Sequence, residues 1–82
     1  MNTDHIKTFI AVYQVQSFAA VAKERNVSPS SITRAIAALE SKLSIRLFQR
    51  STRTVTPTEA GEAYFKHIAP IIDAFDLSLI HI

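Results

Sequence analysis

SFAAVAKERNVSPSSITRAIAALESKLSIRLFQRSTRTVTPTEAG occupies residues 17–61. Two short helical patterns meet within it at Asn26-Val27-Ser28-Pro29, a polar stretch rich in arginine follows between two apolar pairs, and a second Thr-Pro start signal opens another helix. The order reads helix, turn, helix, hairpin, helix. Ser28 is suited to accept a hydrogen bond from an otherwise unpaired helix-start amide, and Pro29 sits at the first helical position, where its missing N–H costs nothing. From Pro29 onward the chain divides by face. Ile32, Ile36, Leu39 and Leu43 recur at helical spacing and are expected to be buried. Ser30, Thr33, Arg34 and Ala37 fall on the opposite side. That face is small in volume and carries a single Arg, whereas a merely solvated face more often carries Glu, Lys and Gln.

Upstream, the first helix is expected to begin with Thr3 as N-cap and with Asp4 favouring the first turn through the helix dipole. Ile6, Phe9, Ile10 and Tyr13 form its core stripe. Ser17 caps a second helix, with Phe18, Val21 and Ala22 apolar and Lys23, Glu24 and Arg25 mostly wet. Asn26 ends it, because asparagine tolerates the left-handed conformation of a helix C-terminus. Downstream, residues 46–55 read as a two-stranded β-hairpin, Leu47-Phe48 against Thr54-Val55, with Arg50 and Arg53 at or near a wide tip. Thr56-Pro57-Thr58-Glu59 reads as a capping box with Thr56 as cap. The helix it opens carries a seam of Phe65, Ile68, Ile72, Phe75, Leu79 and Ile82 with the spacing of a coiled-coil stripe. Pro70 is expected to kink it. Phe65 is assigned to the domain core. Ile72, Phe75 and Leu79 are assigned to a partner chain, since a helix of twenty residues projects ~30 Å from its start. The chain stops at Ile80-His81-Ile82 without a polar cap and reads as cut within a helix.

Eighty-two residues with 48% apolar content, a single Gly and three Pro make one mostly helical domain. The absence of cysteine excludes a disulfide framework and a thiolate metal site. No apolar run is long enough to span a membrane, and the N-terminus lacks the pattern of a secretory signal. His5, His67 and His81 lack ligand spacing, so no metal site is expected. No catalytic carboxylate pair, nucleophile motif or Gly-rich phosphate loop occurs, so neither an enzyme nor a cofactor is expected. Charge is unevenly placed. Residues 23–53 hold Lys23, Arg25, Arg34, Lys42, Arg46, Arg50 and Arg53 against Glu24 and Glu40, a net of +5, and the remainder carries −3. The basic part is an electrostatic match for phosphate. Small hydroxyl residues beside one Arg suit close approach to base edges in a DNA major groove. The alternative is a protein-interaction module that docks through the seam or the third helix. Salt separates the two readings, because binding through several phosphates weakens steeply with salt and a mainly apolar contact does not.

Residues 6–61 resemble the N-terminal winged helix-turn-helix domain of the LysR-type transcriptional regulators. The resemblance is carried in order by Phe9 with Ala11-Val12, Ser17-Phe18 and the alanines after it, Val27-Ser28, Ile32-Thr33-Arg34 with Ile36, Leu39-Glu40, Leu47-Phe48, Arg50, and Thr58-Glu59-Ala60-Gly61. It implies a three-helix core with a two-stranded β wing over residues 1–57, followed by a linker and dimerisation helix over 58–82. It further implies that a recognition helix at about 28–43 enters the major groove of double-stranded operator or promoter DNA, that the wing enters the minor groove, and that two chains pair through the linker helix. By position, Ser28, Pro29, Ser30, Thr33, Arg34, Arg50 and Arg53 are the implied DNA-binding residues, and Ile68, Ile72, Phe75 and Leu79 the implied dimer contacts. A small-molecule effector is implied only through a C-terminal domain absent from this chain, and a cytoplasmic, nucleoid-associated location follows. Three departures stand out. Pro29-Ser30 replaces the common Gln-Pro, Arg25 stands at a usually apolar position where its stem is expected to pack, and Ser44 replaces a common Gly.

Overall fold

The chain breaks into helices at residues that take up a left-handed backbone. The computed structural model describes residues 3–49 and 55–80, with side chains placed for 4–49 and 55–72. Within these, α1 spans Thr3–Val15, α2 Phe18–Arg25, α3 Pro29–Leu43 and α4 Glu59–Ile80. Gln16, Asn26 and Ser44 follow the first three helices with φ of 61°, 59° and 57°. After α2, the Asn26 amide donates to the Lys23 carbonyl at 3.2 Å and the Val27 amide to the Ala22 carbonyl at 3.0 Å. That pair of bonds is a Schellman closure, which satisfies carbonyls the helix end would otherwise orphan. Asn26 thus ends the helix in the expected conformation, and Ser44 takes the same left-handed position after α3.

The helix starts agree with expectation at two places and differ at two. Ser17 accepts from the Ala20 amide at 3.1 Å, and Ser28 from the Ser31 amide at 3.3 Å with Pro29 directly after it. Thr3, expected as a cap, already lies inside α1. The last helix begins two residues later than the Thr56 capping box predicts. Thr58 is the cap, since its hydroxyl accepts from the Gly61 amide at 2.9 Å and its carbonyl from the Glu62 amide at 2.9 Å. Pro57 instead belongs to the wing stem, where it forms an antiparallel bridge with Phe48. The Gln49 amide donates to the Thr56 carbonyl at 2.8 Å and the Thr58 amide to the Leu47 carbonyl at 2.9 Å. Leu47-Phe48 thus pairs with Pro57-Thr58 and not, as expected, with Thr54-Val55, and because residues 56–58 are engaged in this pairing the helix starts only after them.

The core forms where α1, α2, α3 and the first half of α4 converge on the wing stem. Ile6, Phe9, Val12, Val21, Ile32, Ile36, Leu39, Leu47 and Phe48 are buried there. Phe9 is its centre, with ring contacts to Tyr13, Phe48, Tyr64 and Phe65 at centroid distances of 5.4–6.5 Å. Tyr13 and Phe65 stack at 3.8 Å and 5°, clamping α4 to α1. Phe65 thus lies against the core as expected. Ile72, assigned from sequence to a partner, instead lies in this chain's own core at 6% exposure, because α4 lies along α1 rather than projecting free. Ile68 is half-buried against the same cluster. The side chains of Phe75 and Leu79 lie outside the described residues. The helix runs through Pro70, which is exposed and removes one intrahelical hydrogen bond.

Candidate nucleic-acid interface

The outward surface of α3 follows from how firmly its inner surface is held. Ile32, Ile36 and Leu39 are at most 3% exposed, packed against α1 and α2, which leaves no rotational freedom to the helix. The side chains half a turn away therefore point outward. Pro29, Ser30, Thr33, Arg34 and Ala37 are all exposed, as the sequence spacing predicts. Ser41 is exposed on the same face and lengthens it by one turn. It recurs four residues after Ala37, a signal that sequence reasoning passed over.

The hydroxyls on this face are partly engaged. Ser28 Oγ lies 3.1 Å from Ser30 Oγ and 3.0 Å from Ser31 Oγ, while it also caps the helix. Thr33 Oγ1 donates to the Pro29 carbonyl at 3.2 Å. A hydroxyl that donates this way keeps acceptor lone pairs for a further donor. Ser28 thus caps the helix start, while Ser30, Thr33 and Arg34 stand on its exposed face. Arg25 is drawn elsewhere. Its Nη1 donates to Thr8 Oγ1 at 2.7 Å, and Thr8 Oγ1 donates in turn to the Asp4 carbonyl at 2.7 Å. Thr8 is buried, so the Arg25 guanidinium satisfies a polar group on α1.

The wing stem stands beside the C-terminal end of α3. Glu40, on α3, accepts from the Leu47 amide at 2.7 Å and the Phe48 amide at 3.4 Å. In the sequence Glu40 is marked only by the Leu39-Glu40 pair that carries part of the family resemblance and by its place on the edge of a buried helix face, a few residues before the wing stem. Arg46 is exposed at the stem. Arg50 and Arg53, the expected wing contacts, lie outside the described residues. Among the described residues no cluster of three or more His, Cys, Asp or Glu is placed to hold a metal, and no helix is long and apolar enough to cross a membrane.

Comparison with known proteins places the chain in a family. Residues 3–62 match the family described as "Bacterial regulatory helix-turn-helix protein, lysR family". The chain belongs to the LysR family of bacterial regulatory helix-turn-helix proteins, and its winged helix-turn-helix architecture is that family's. It is 42% identical over 79 residues to the uncharacterized HTH-type transcriptional regulator YcaN of Escherichia coli (strain K12), covering 96% of this chain and 26% of that protein. It is 46% identical over 63 residues to the HTH-type transcriptional regulator PerR of the same strain, covering 77% of this chain and 21% of that one. The chain thus spans about a quarter of the length of these curated relatives. Among solved structures, the BenM_DBD/benA site 1 DNA complex matches at a TM-score of 0.92 and 27% identity, covering 99% of this chain and 91% of that one. The CbnR_DBD-DNA complex matches at 0.88 and 36%, covering 99% and 93%. The family is one of transcriptional regulators, in agreement with the non-enzymatic reading.

Proposed function

We propose that this chain is the DNA-reading domain of a LysR-type transcriptional regulator. The observation that carries the proposal is the exposed Ser30-Thr33-Arg34-Ala37-Ser41 face of α3, held outward by buried Ile32, Ile36 and Leu39. Its side chains are short enough to let the helix sink into a major groove, and Arg34 can reach a base edge or a phosphate. The fold's likeness to BenM and CbnR domains solved with DNA supports the same use here. The wing enters the minor groove, where the narrow channel focuses negative potential on Arg53. Arg50 contributes to the phosphate backbone or to the wing itself. Residues 1–57 do the reading, and the helix over 58–82 completes the core with its first half and links and pairs two chains beyond it. Two domains then read two half-sites related by the dimer axis. The domain acts in the cytoplasm, at the nucleoid. Small-molecule control, which the family resemblance ties to a C-terminal domain, is not assigned to these 82 residues.

The test is selection from a random duplex DNA pool at moderate salt with the purified chain. Enrichment of a motif with two symmetric halves is the expected result. Weak binding with no enriched motif would remove sequence reading from this chain's function.

A further inference from the structure

Leu47 is the residue at which α3, the wing stem and α4 meet. Its amide is held by the Glu40 carboxylate at 2.7 Å, and the Phe48 amide approaches the same oxygen at 3.4 Å. Its carbonyl accepts from the Thr58 amide at 2.9 Å and lies against Gly61, where an added Cβ would stand 2.1 Å from the carbonyl oxygen. The preceding carbonyl, that of Arg46, accepts from the Thr58 hydroxyl. The stem's tie to α4 is therefore backbone and cap. Its tie to α3 is a side chain, and that side chain sits on the helix with the reading face.

We propose that Glu40 is a positioning residue for DNA reading: it sets where the wing stands relative to α3. This rests on the DNA-reading proposal above. A carboxylate accepting backbone amides makes charge-assisted bonds, shorter and stronger than neutral ones. Because Glu40 moves with α3, it references the start of the hairpin to the recognition helix rather than to the core at large. Major-groove and minor-groove contacts then sit at one fixed offset, and the domain reads both parts of a site together. Without the carboxylate, the buried Leu47 and Phe48 side chains and the Thr58 bonds still hold the stem in the fold. What is lost is the fixed offset. Glutamine keeps an acceptor oxygen but not the charge, so it holds the stem more weakly.

The experiment uses the 82-residue chain and the duplex it enriches from a random pool. Positions where Arg34→Ala relaxes base preference are assigned to α3, and positions where Arg53→Ala relaxes it are assigned to the wing. Glu40→Ala and Glu40→Gln are then measured on duplexes altered at each set, with circular dichroism to confirm folding. Glu40→Ala is expected to lower discrimination at wing positions by about tenfold, the size of one lost contact, while changing it less than about twofold at α3 positions. Glu40→Gln is expected to fall between Glu40→Ala and the unaltered chain. Full discrimination at wing positions in a folded Glu40 variant would overturn the proposal. So would equal loss at both sets in step with a fall in Tm, because Glu40 would then serve the fold alone; the Gln variant decides the matter if the Ala variant does not fold. No enrichment by the unaltered chain would instead overturn DNA reading itself, and this inference with it.

Discussion

Ser44 holds a φ of 57° at the end of the recognition helix, a conformation that crowds the Cβ of any L-residue. The chain's single glycine is used elsewhere. Gly61 sits where the first turn of α4 presses on the Leu47 carbonyl, and no side chain fits there. Two opposite substitutions follow from this placement. Ser44→Gly is expected to stabilise the domain by about 0.5–1 kcal/mol in urea denaturation, the relief of left-handed strain outweighing the extra entropy of glycine in the unfolded chain. Gly61→Ala is expected to destabilise it by about 2 kcal/mol or more, because the obstacle is backbone and cannot rotate away. A neutral outcome at Gly61 would mean that α4 shifts freely off the wing stem. On the reading face, Arg34→Ala is expected to weaken binding to the enriched duplex by about 1–3 kcal/mol while leaving Tm unchanged. Unaltered affinity would take Arg34 off that face.

At the scale of elements, α4 packs into the core along its first half and is proposed to pair two chains beyond it. Its first half is part of the core, through Tyr64, Phe65, Ile68 and Ile72. Charging Ile72 therefore tests the fold and not a dimer: Ile72→Asp is expected to lower Tm sharply. Phe75→Asp lies beyond this buried half and separates the two purposes. With it, analytical ultracentrifugation is expected to find folded monomers, and a persistent dimer would place the pairing surface elsewhere. The Tyr64 phenol also reports on this packing. Burial raises its pKa above the ordinary tyrosine value, since the fold disfavours the phenolate. Its contribution to stability is therefore whole below the unfolded-state value of about 10 and is lost as pH rises through the folded-state value. Alkaline titration of stability is expected to fall less steeply for Tyr64→Phe, and identical curves would mean that the tyrosine does not drive the loss.

Across the whole molecule, the basic excess of residues 23–53 and the acidic excess of the remainder divide the labour between phosphate and everything else. Binding through six or more phosphates is expected to weaken by ~10³ or more between 50 and 200 mM salt. A flat salt profile would point to a mainly apolar partner instead of DNA. The helix-turn-helix pattern was legible because the elements around its turn carry their own chemistry: Ser17, Ser28-Pro29 and the left-handed Asn26 act within a few residues of themselves. The buried and exposed faces of α3 were legible for the same reason, since helical periodicity is local.

Three features escaped that local reading. Thr56-Pro57 looks like a helix start but is taken into the wing stem, because pairing with residues 47–49 competes for the same backbone. Ile72 looks like a partner contact but faces its own core, because the stacking of Tyr13 on Phe65 lays α4 along α1. Glu40 and Arg25 look like solvated charges but hold, respectively, the wing stem and a buried threonine on α1. Sequence patterns set which residues form helices and which face of each is apolar, since those depend on neighbours three or four positions away. The start of α4, the partner of its seam and the tie between recognition helix and wing depend on groups brought together from distant positions, so they took shape only when the chain closed on itself.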